Sequence, residues 1–63
     1  MPAITVKMGK TPPEKKKELI EKLTMAATEV TAMPAEYFSI YIQEFEADSI
    51  GVGGQTIAEK FAK

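Results

Sequence analysis

At the start of the chain the apolar positions alternate: Pro2, Ile4, Val6 and Met8 fall on one side of an extended segment, and Ala3, Thr5 and Lys7 on the other. A period of two predicts a β-strand. Gly9-Lys10-Thr11-Pro12-Pro13 ends it. Thr11 followed by Glu14 has the spacing of a capping box, with Pro12 at the first helical position, where a missing N–H costs nothing. The period then changes. Leu19, Ile20, Leu23, Ala26, Ala27 and Val30 recur on one face at helical spacing, with Lys17, Glu18, Glu21, Thr24 and Thr28 on the other, which predicts an amphipathic helix of about five turns. Glu18 and Lys22 add an ion pair one turn apart in the favourable orientation. Met25 lies on the polar side, as a contact to another protomer or as a lone exposed apolar residue.

Ala32-Met33-Pro34 stops the helix, because a residue before proline is pushed out of the α region. Alternation returns: Phe38, Ile40 and Ile42 against Tyr37, Ser39, Tyr41 and Gln43, a second strand rich in β-branched and aromatic residues. Both faces of it carry large apolar bodies. One helix covers one face only, so the face with Tyr37 and Tyr41 is expected to meet another chain. Ile50-Gly51-Val52-Gly53-Gly54 reads as a tight hairpin or bulged turn, and residues 55 to 62 as a short helix. Strand, helix and strand joined by a crossover of this length imply two parallel strands and an α+β protomer. Two strands do not make a stable sheet, whereas a second chain adding its own pair makes a four-stranded sheet with two helices on one face.

Composition points the same way. A chain of 63 residues is one small domain, expected to span residues 1–63, and buries only about 60% of the surface its unfolded form exposes. With no Cys there is no disulfide, and with no His a zinc site has poor material. Oligomerisation is the remaining source of stability. The net charge of −1 provides no basic footprint for nucleic acid, and Lys15-Lys16-Lys17, flanked by Glu14 and Glu18, reads as a solvated helix face. No apolar run is long enough for a membrane span and no signal peptide is legible, so a cytoplasmic location is expected.

Chemistry is concentrated at Pro2. If Met1 is removed, its nitrogen becomes a secondary amine on a rigid ring. An α-amino group starts near pKa ~8, and an apolar pocket lowers it toward neutrality, where a general base performs best. If Met1 stays, the same nitrogen is an amide without useful basicity.

Met1-Pro2 opening a strand, an amphipathic helix, a strand Ser39-Ile40-Tyr41-Ile42-Gln43-Glu44 and then Gly51-Val52-Gly53-Gly54 together resemble the 4-oxalocrotonate tautomerase family over essentially the whole length. The resemblance implies a β-α-β protomer, dimers assembled into a hexamer, and Pro2 as the base that shuttles a proton between enol oxygen and carbon of a small keto-enol acid. It implies no cofactor and no metal. By the same alignment Ser39 stands where members acting on dicarboxylates carry an arginine. The second family arginine falls at Lys10 or, with a different loop length, Thr11, and Ile50 replaces a pocket aromatic. This chain has no arginine at all. A lysine lacks the planar fork that grips a carboxylate with two bonds, and Ser39 supplies a hydroxyl without charge. The expected substrate therefore carries less charge than a diacid. Ser39 and Tyr41 also admit a reading as interface residues, and Lys10 one as a solvated loop residue. Gly51, Gly53 and Gly54 lack the unit and the lysine-serine pair of a phosphate loop. Two other functions fit the same residues: a non-catalytic oligomeric module that kept the fold without the charged clamp, and a hydratase, dehalogenase or decarboxylase using the same Pro2.

Overall fold

A computed structural model describes residues 1–61. Strand β1 spans Ala3–Gly9, helix α1 Pro13–Thr31 and strand β2 Ser39–Phe45. The two strands pair in parallel, with Ala3 opposite Ser39 and Gly9 opposite Phe45. The expected β-α-β protomer is thus present. A short hairpin follows, β3 Gly51–Val52 against β4 Gln55–Thr56, and the chain closes with helix α2, Ile57–Lys60. Residue 62, the last expected in that helix, lies outside the described residues. Gly53 and Gly54 turn the hairpin with φ of 63° and 86°, the two positive values a tight turn matching strand twist requires.

The helix begins differently from the expectation. Pro12, at φ −60° and ψ 148°, is the N-cap, and α1 has no side-chain cap. The reason is local: Pro12 precedes Pro13 and is therefore held out of the α region, so the helix starts one residue later. Thr11 then lies too early to cap, and its hydroxyl donates to the Gly9 carbonyl at 3.1 Å. The capping box is at α2. The Glu59 N–H donates to Thr56 Oγ1 at 3.0 Å, and the Thr56 N–H to Glu59 Oε1 at 2.9 Å. Its Thr-x-x-Glu spacing is as plain in the sequence as that of Thr11 and Glu14. At the other end, Ala32 closes α1 in the left-handed region at φ 61°, donating its N–H to the Thr28 carbonyl.

Half-burial along α1 follows Lys16, Leu19, Leu23 and Ala27, one stripe, with Thr24 and Thr28 beside it. Ile20, Ala26 and Val30, expected on the inner face, are exposed, and the two threonines expected on the polar face are partly covered. A two-stranded sheet is too narrow to cover more than one stripe. Facing that stripe, β1 and β2 present Ile4, Val6, Met8, Ile40, Ile42 and Glu44, all half-buried. The second strand begins two residues later than expected. Tyr37 belongs to a 3-10 turn, Ala35–Tyr37, because Pro34 supplies its start. Glu18 and Lys22 pair at 3.2 Å as expected.

Among the described residues none is buried. The chain exposes 4946 Å², where a compact monomer of this length exposes roughly 4000 Å². Its radius of gyration is 14.9 Å against about 11 Å for a compact domain. On the open side of the sheet Tyr41 is 56% exposed and Phe45 36%, and Met25 on α1 is 63% exposed. A protomer of this shape has half a core, and the other half has to come from another chain.

Two outcomes follow. Sedimentation at micromolar concentration is expected to show no folded monomer, and Tyr41→Glu, which puts a charge on the uncovered sheet face, is expected to dissociate and unfold together. Ala32→Gly is expected to stabilise by about 0.5 kcal/mol, the relief of a left-handed Cβ less the added freedom of the unfolded chain, as read by denaturant unfolding at fixed protein concentration.

Candidate functional site

Pro2 is half-buried immediately before β1. Its carbonyl accepts from the Ser39 N–H at 3.0 Å, so the sheet ladder itself fixes Pro2 beside the start of β2. The Ser39 hydroxyl donates to Met1 Sδ at 3.6 Å. Pro2 and Ser39, placed 37 positions apart in the chain, are therefore neighbours because the parallel register makes them so. Ser39 shares the open sheet face with Ala3 and Tyr41, as the register pairs of β1 and β2 require.

Lys10 and Ile50 lie at the opposite end. Lys10 follows the last residue of β1, and its Nζ pairs with Glu46 Oε1 at 3.4 Å, both side chains being largely exposed. An exposed pair of this kind is worth about 0–1 kcal/mol and is screened by salt. Ile50 is half-buried and lines a cleft of about 280 Å³ with Lys7, Met8, Phe45, Ser49 and Gly51. Eight residues of extended chain separate Pro2 from Lys10, roughly 25 Å at the rise of a strand. One protomer thus holds the four candidate residues as two pairs, Pro2 with Ser39 and Lys10 with Ile50, one pair at each end of the sheet.

A polar cluster not anticipated from the sequence ties the connection between β1 and α1. Glu44 accepts from the Thr11 N–H at 2.8 Å through Oε2 and from Lys16 Nζ at 3.0 Å through Oε1. Lys16 and Glu44 are 30% and 22% exposed, so Lys16 is not the solvated residue that its lysine-rich run suggested. The Thr11 N–H, then the Lys16 ammonium, hold the Glu44 carboxyl below the usual carboxylate range against a smaller opposing effect of desolvation. The signal was present in the alternation: Glu44 continues the inward series Phe38, Ile40, Ile42, and Lys16 continues the helix stripe toward the N-terminus. An acid and a base each standing on an apolar stripe are expected to face one another.

A wider groove of about 580 Å³ runs along α1 past Ile20, Thr24, Met25, Thr28 and Ala35. It contains none of the four candidate residues. Among the described residues no cluster of three or more His, Cys, Asp or Glu is placed to hold a metal ion, and no helix is long and apolar enough to cross a membrane.

Residues 2–60 match the family described as Tautomerase, a tautomerase enzyme. A protein named "Probable tautomerase" from Bacillus cereus (strain ATCC 14579) is 42% identical over 62 residues, covering 95% of this chain and 100% of that one. The 2-hydroxymuconate tautomerase of Bacillus subtilis (strain 168) is 38% identical over 61 residues, 94% of this chain and 97% of its own. Among solved structures, TomN, a 4-oxalocrotonate tautomerase homologue in the tomaymycin biosynthetic pathway, superposes with a TM-score of 0.94 at 32% identity, covering 98% and 97% of the two chains.

The Glu44 cluster has a pH consequence. Its native carboxyl is lowered, so the unfolded chain binds more protons in the acid range. The contribution is complete above the unfolded value of about 4.3 and is lost as pH falls through the lower native value. Glu44→Gln is expected to lower stability at neutral pH and to flatten the acid limb of the stability profile, measured by denaturant midpoints between neutral and acid pH.

Proposed function

The chain belongs to the tautomerase family, and from that premise we propose that it is a cofactor-independent isomerase in which the Pro2 amine, freed by removal of Met1, carries a proton between enol oxygen and carbon. The observation that supports this most is the placement of Pro2 at the head of β1, joined to β2 by the bond from Ser39, within a family match that begins at that residue. In the reaction the neutral nitrogen takes the hydroxyl proton of a 2-hydroxy-enoate. The oxygen lone pair forms the carbonyl, the carbon–carbon double bond shifts, and the pyrrolidinium returns the proton to carbon. The nitrogen ends neutral, so nothing is consumed.

The remaining roles follow from the chemistry of each side chain. The Ser39 hydroxyl donates to the oxygen that becomes the carbonyl. Lys10 supplies a point charge to the substrate carboxylate, and Ile50 an apolar wall that disfavours the charged amine. Because Lys10 stands roughly 25 Å from Pro2 along the sheet and Ile50 lines a cleft with Met8 and Phe45 at that same far end, we assign them to the site of a neighbouring protomer. Two sheets meeting with opposed strand directions would bring one chain's Lys10 end to the other's Pro2 end. The assembly we propose is a dimer of β-α-β units and, from these, a hexamer. With Lys10 as the one cation assigned to the substrate and no arginine in the chain, the preferred substrate is an enol monoacid such as an arylpyruvate.

The test follows ultraviolet decay of the enol forms of phenylpyruvate and of 2-hydroxymuconate. Pro2→Ala is expected to lower kcat by about 100-fold, the lower range for a positioned proton-transfer group. Equal decay with Pro2→Ala and the unaltered protein would sink the proposal. Ser39→Arg, which restores a bidentate donor, is expected to lower KM for the diacid by roughly tenfold while leaving the monoacid less affected. Titration of the ¹⁵N-labelled Pro2 amine by NMR is expected to give a pKa below the ordinary α-amino value. An intact mass that still includes Met1 would contradict a basic amine at this position.

A further inference from the structure

The connection between β1 and α1 is only three residues long, Lys10 to Pro12, and it is held by two acids at the far end of β2, Glu44 on the strand's inward face and Glu46 just past its last residue. Glu46 takes Lys10 at 3.4 Å. Glu44 takes the backbone of Thr11 at 2.8 Å and, with its other oxygen, Lys16 one turn into the helix at 3.0 Å. The Thr11 hydroxyl adds a bond back to the Gly9 carbonyl at 3.1 Å. With both prolines of Pro12-Pro13 unable to donate, the Thr11 N–H is the one backbone donor between Lys10 and the helix, and it is spent on Glu44 rather than on a helix cap. The two acids therefore do different things to the same loop. Glu44 fixes the backbone, whereas Glu46 occupies the lysine head.

We propose that Glu44 is a positioning residue: by accepting from Thr11 and Lys16 at once it sets the path of residues 10–12, and so the direction in which Lys10 is offered to a substrate carboxylate. This rests on the reading of Lys10 as the residue that meets that carboxylate. Glu46, on the same reading, is the anion that Lys10 must leave when substrate binds. The low exposure of Glu44 and its lowered carboxyl pKa keep it charged and bonded at neutral pH. The charges facing it are Lys16 on α1 and Lys10 on the loop, with Glu46 two residues further on, just past the end of β2.

The two acids make the experiment self-controlled, because Glu44→Gln and Glu46→Gln change the net charge equally. The probe is the enol form of phenylpyruvate, with KM and kcat measured separately and hydrogen exchange of the Thr11 amide followed by NMR on the assembled protein. Glu44→Gln is expected to raise KM by about tenfold with kcat within a few-fold, and to speed Thr11 exchange by about tenfold or more. Lys16→Met, which removes the second partner of Glu44 and spares the carboxylate, is expected to shift both readouts the same way by less. It reads the same link from the helix side if Glu44→Gln does not fold. Glu46→Gln is expected to leave Thr11 exchange unchanged and to lower KM. A KM moved in the same direction and by the same factor in both glutamine variants would mean charge rather than position, and would overturn the proposal. So would unchanged Thr11 exchange in Glu44→Gln and Lys16→Met. Lys10→Ala separates the two levels: if it leaves KM unaltered, the assignment of Lys10 fails and the proposal with it. If it raises KM while Glu44→Gln does not, only the role of Glu44 is lost.

Discussion

A single helix laid on a two-stranded parallel sheet leaves one sheet face and much of the helix without cover, and every other property of this protein depends on that shortage. No described residue reaches burial, although the apolar alternation in both strands is strong. Apolar area removed from water stabilises by about 25 cal/mol per Å², and half-covered side chains collect only part of that. The protomer is accordingly elongated, with principal extents of 45 × 23 × 15 Å, its C-terminal hairpin and α2 extending the shape instead of closing it. Folding and association are one process in such a chain, and stability is inseparable from protomer concentration.

The same shortage shapes the site. A sheet of seven-residue strands is long enough to hold Pro2 with Ser39 at one end and Lys10 with Ile50 at the other, and too short of layers to fold one end over the other. Proton transfer by an amine needs few groups: a nitrogen of suitable pKa, an apolar wall and something to orient the acid. On the proposed reading these are divided between the two ends, Pro2 at one and Lys10 with Ile50 at the other. Among the described residues the Glu44–Lys16 pair is the one place where the protomer commits charged groups to a partly covered position, and it does so at the loop that carries Lys10. A half-exposed ion pair contributes modestly to stability, so its consequence is chiefly geometric.

Where periodicity ran over many residues, the elements were legible: the first strand from Pro2 to Met8, the long helix, and the hairpin from Gly51-Val52-Gly53-Gly54. The parallel pairing followed from the crossover length, and the pairing then placed Ser39 beside Pro2. Local choices between equivalent signals were not legible. Thr11-x-x-Glu14 and Thr56-x-x-Glu59 have the same capping spacing, and only the second caps, because Pro13 shifts the first helix start past Thr11. Periodicity alone makes the helix's inner face too broad, since Ile20, Ala26 and Val30 belong by period to an apolar face that a two-stranded sheet is too narrow to cover. The part played by Glu44 is not plain from its charge, although its register with Phe38, Ile40 and Ile42 turns it inward. That Lys10 and Ile50 lie far from Pro2 within one chain is a matter of strand length, and simple counting along β1 reveals it.

In the assembly proposed above, the base and the carboxylate-binding residue of one site come from different protomers. Subunit mixing tests this. Pro2→Ala and Lys10→Ala chains, each measured alone, are to be unfolded together in equal amounts, refolded into mixed assemblies and assayed for ketonisation of an enol monoacid. The mixture is expected to regain roughly a quarter of the unaltered turnover, since independent pairing restores both intact halves at about one site in four. Turnover no greater than the average of the two separate variants would contradict it.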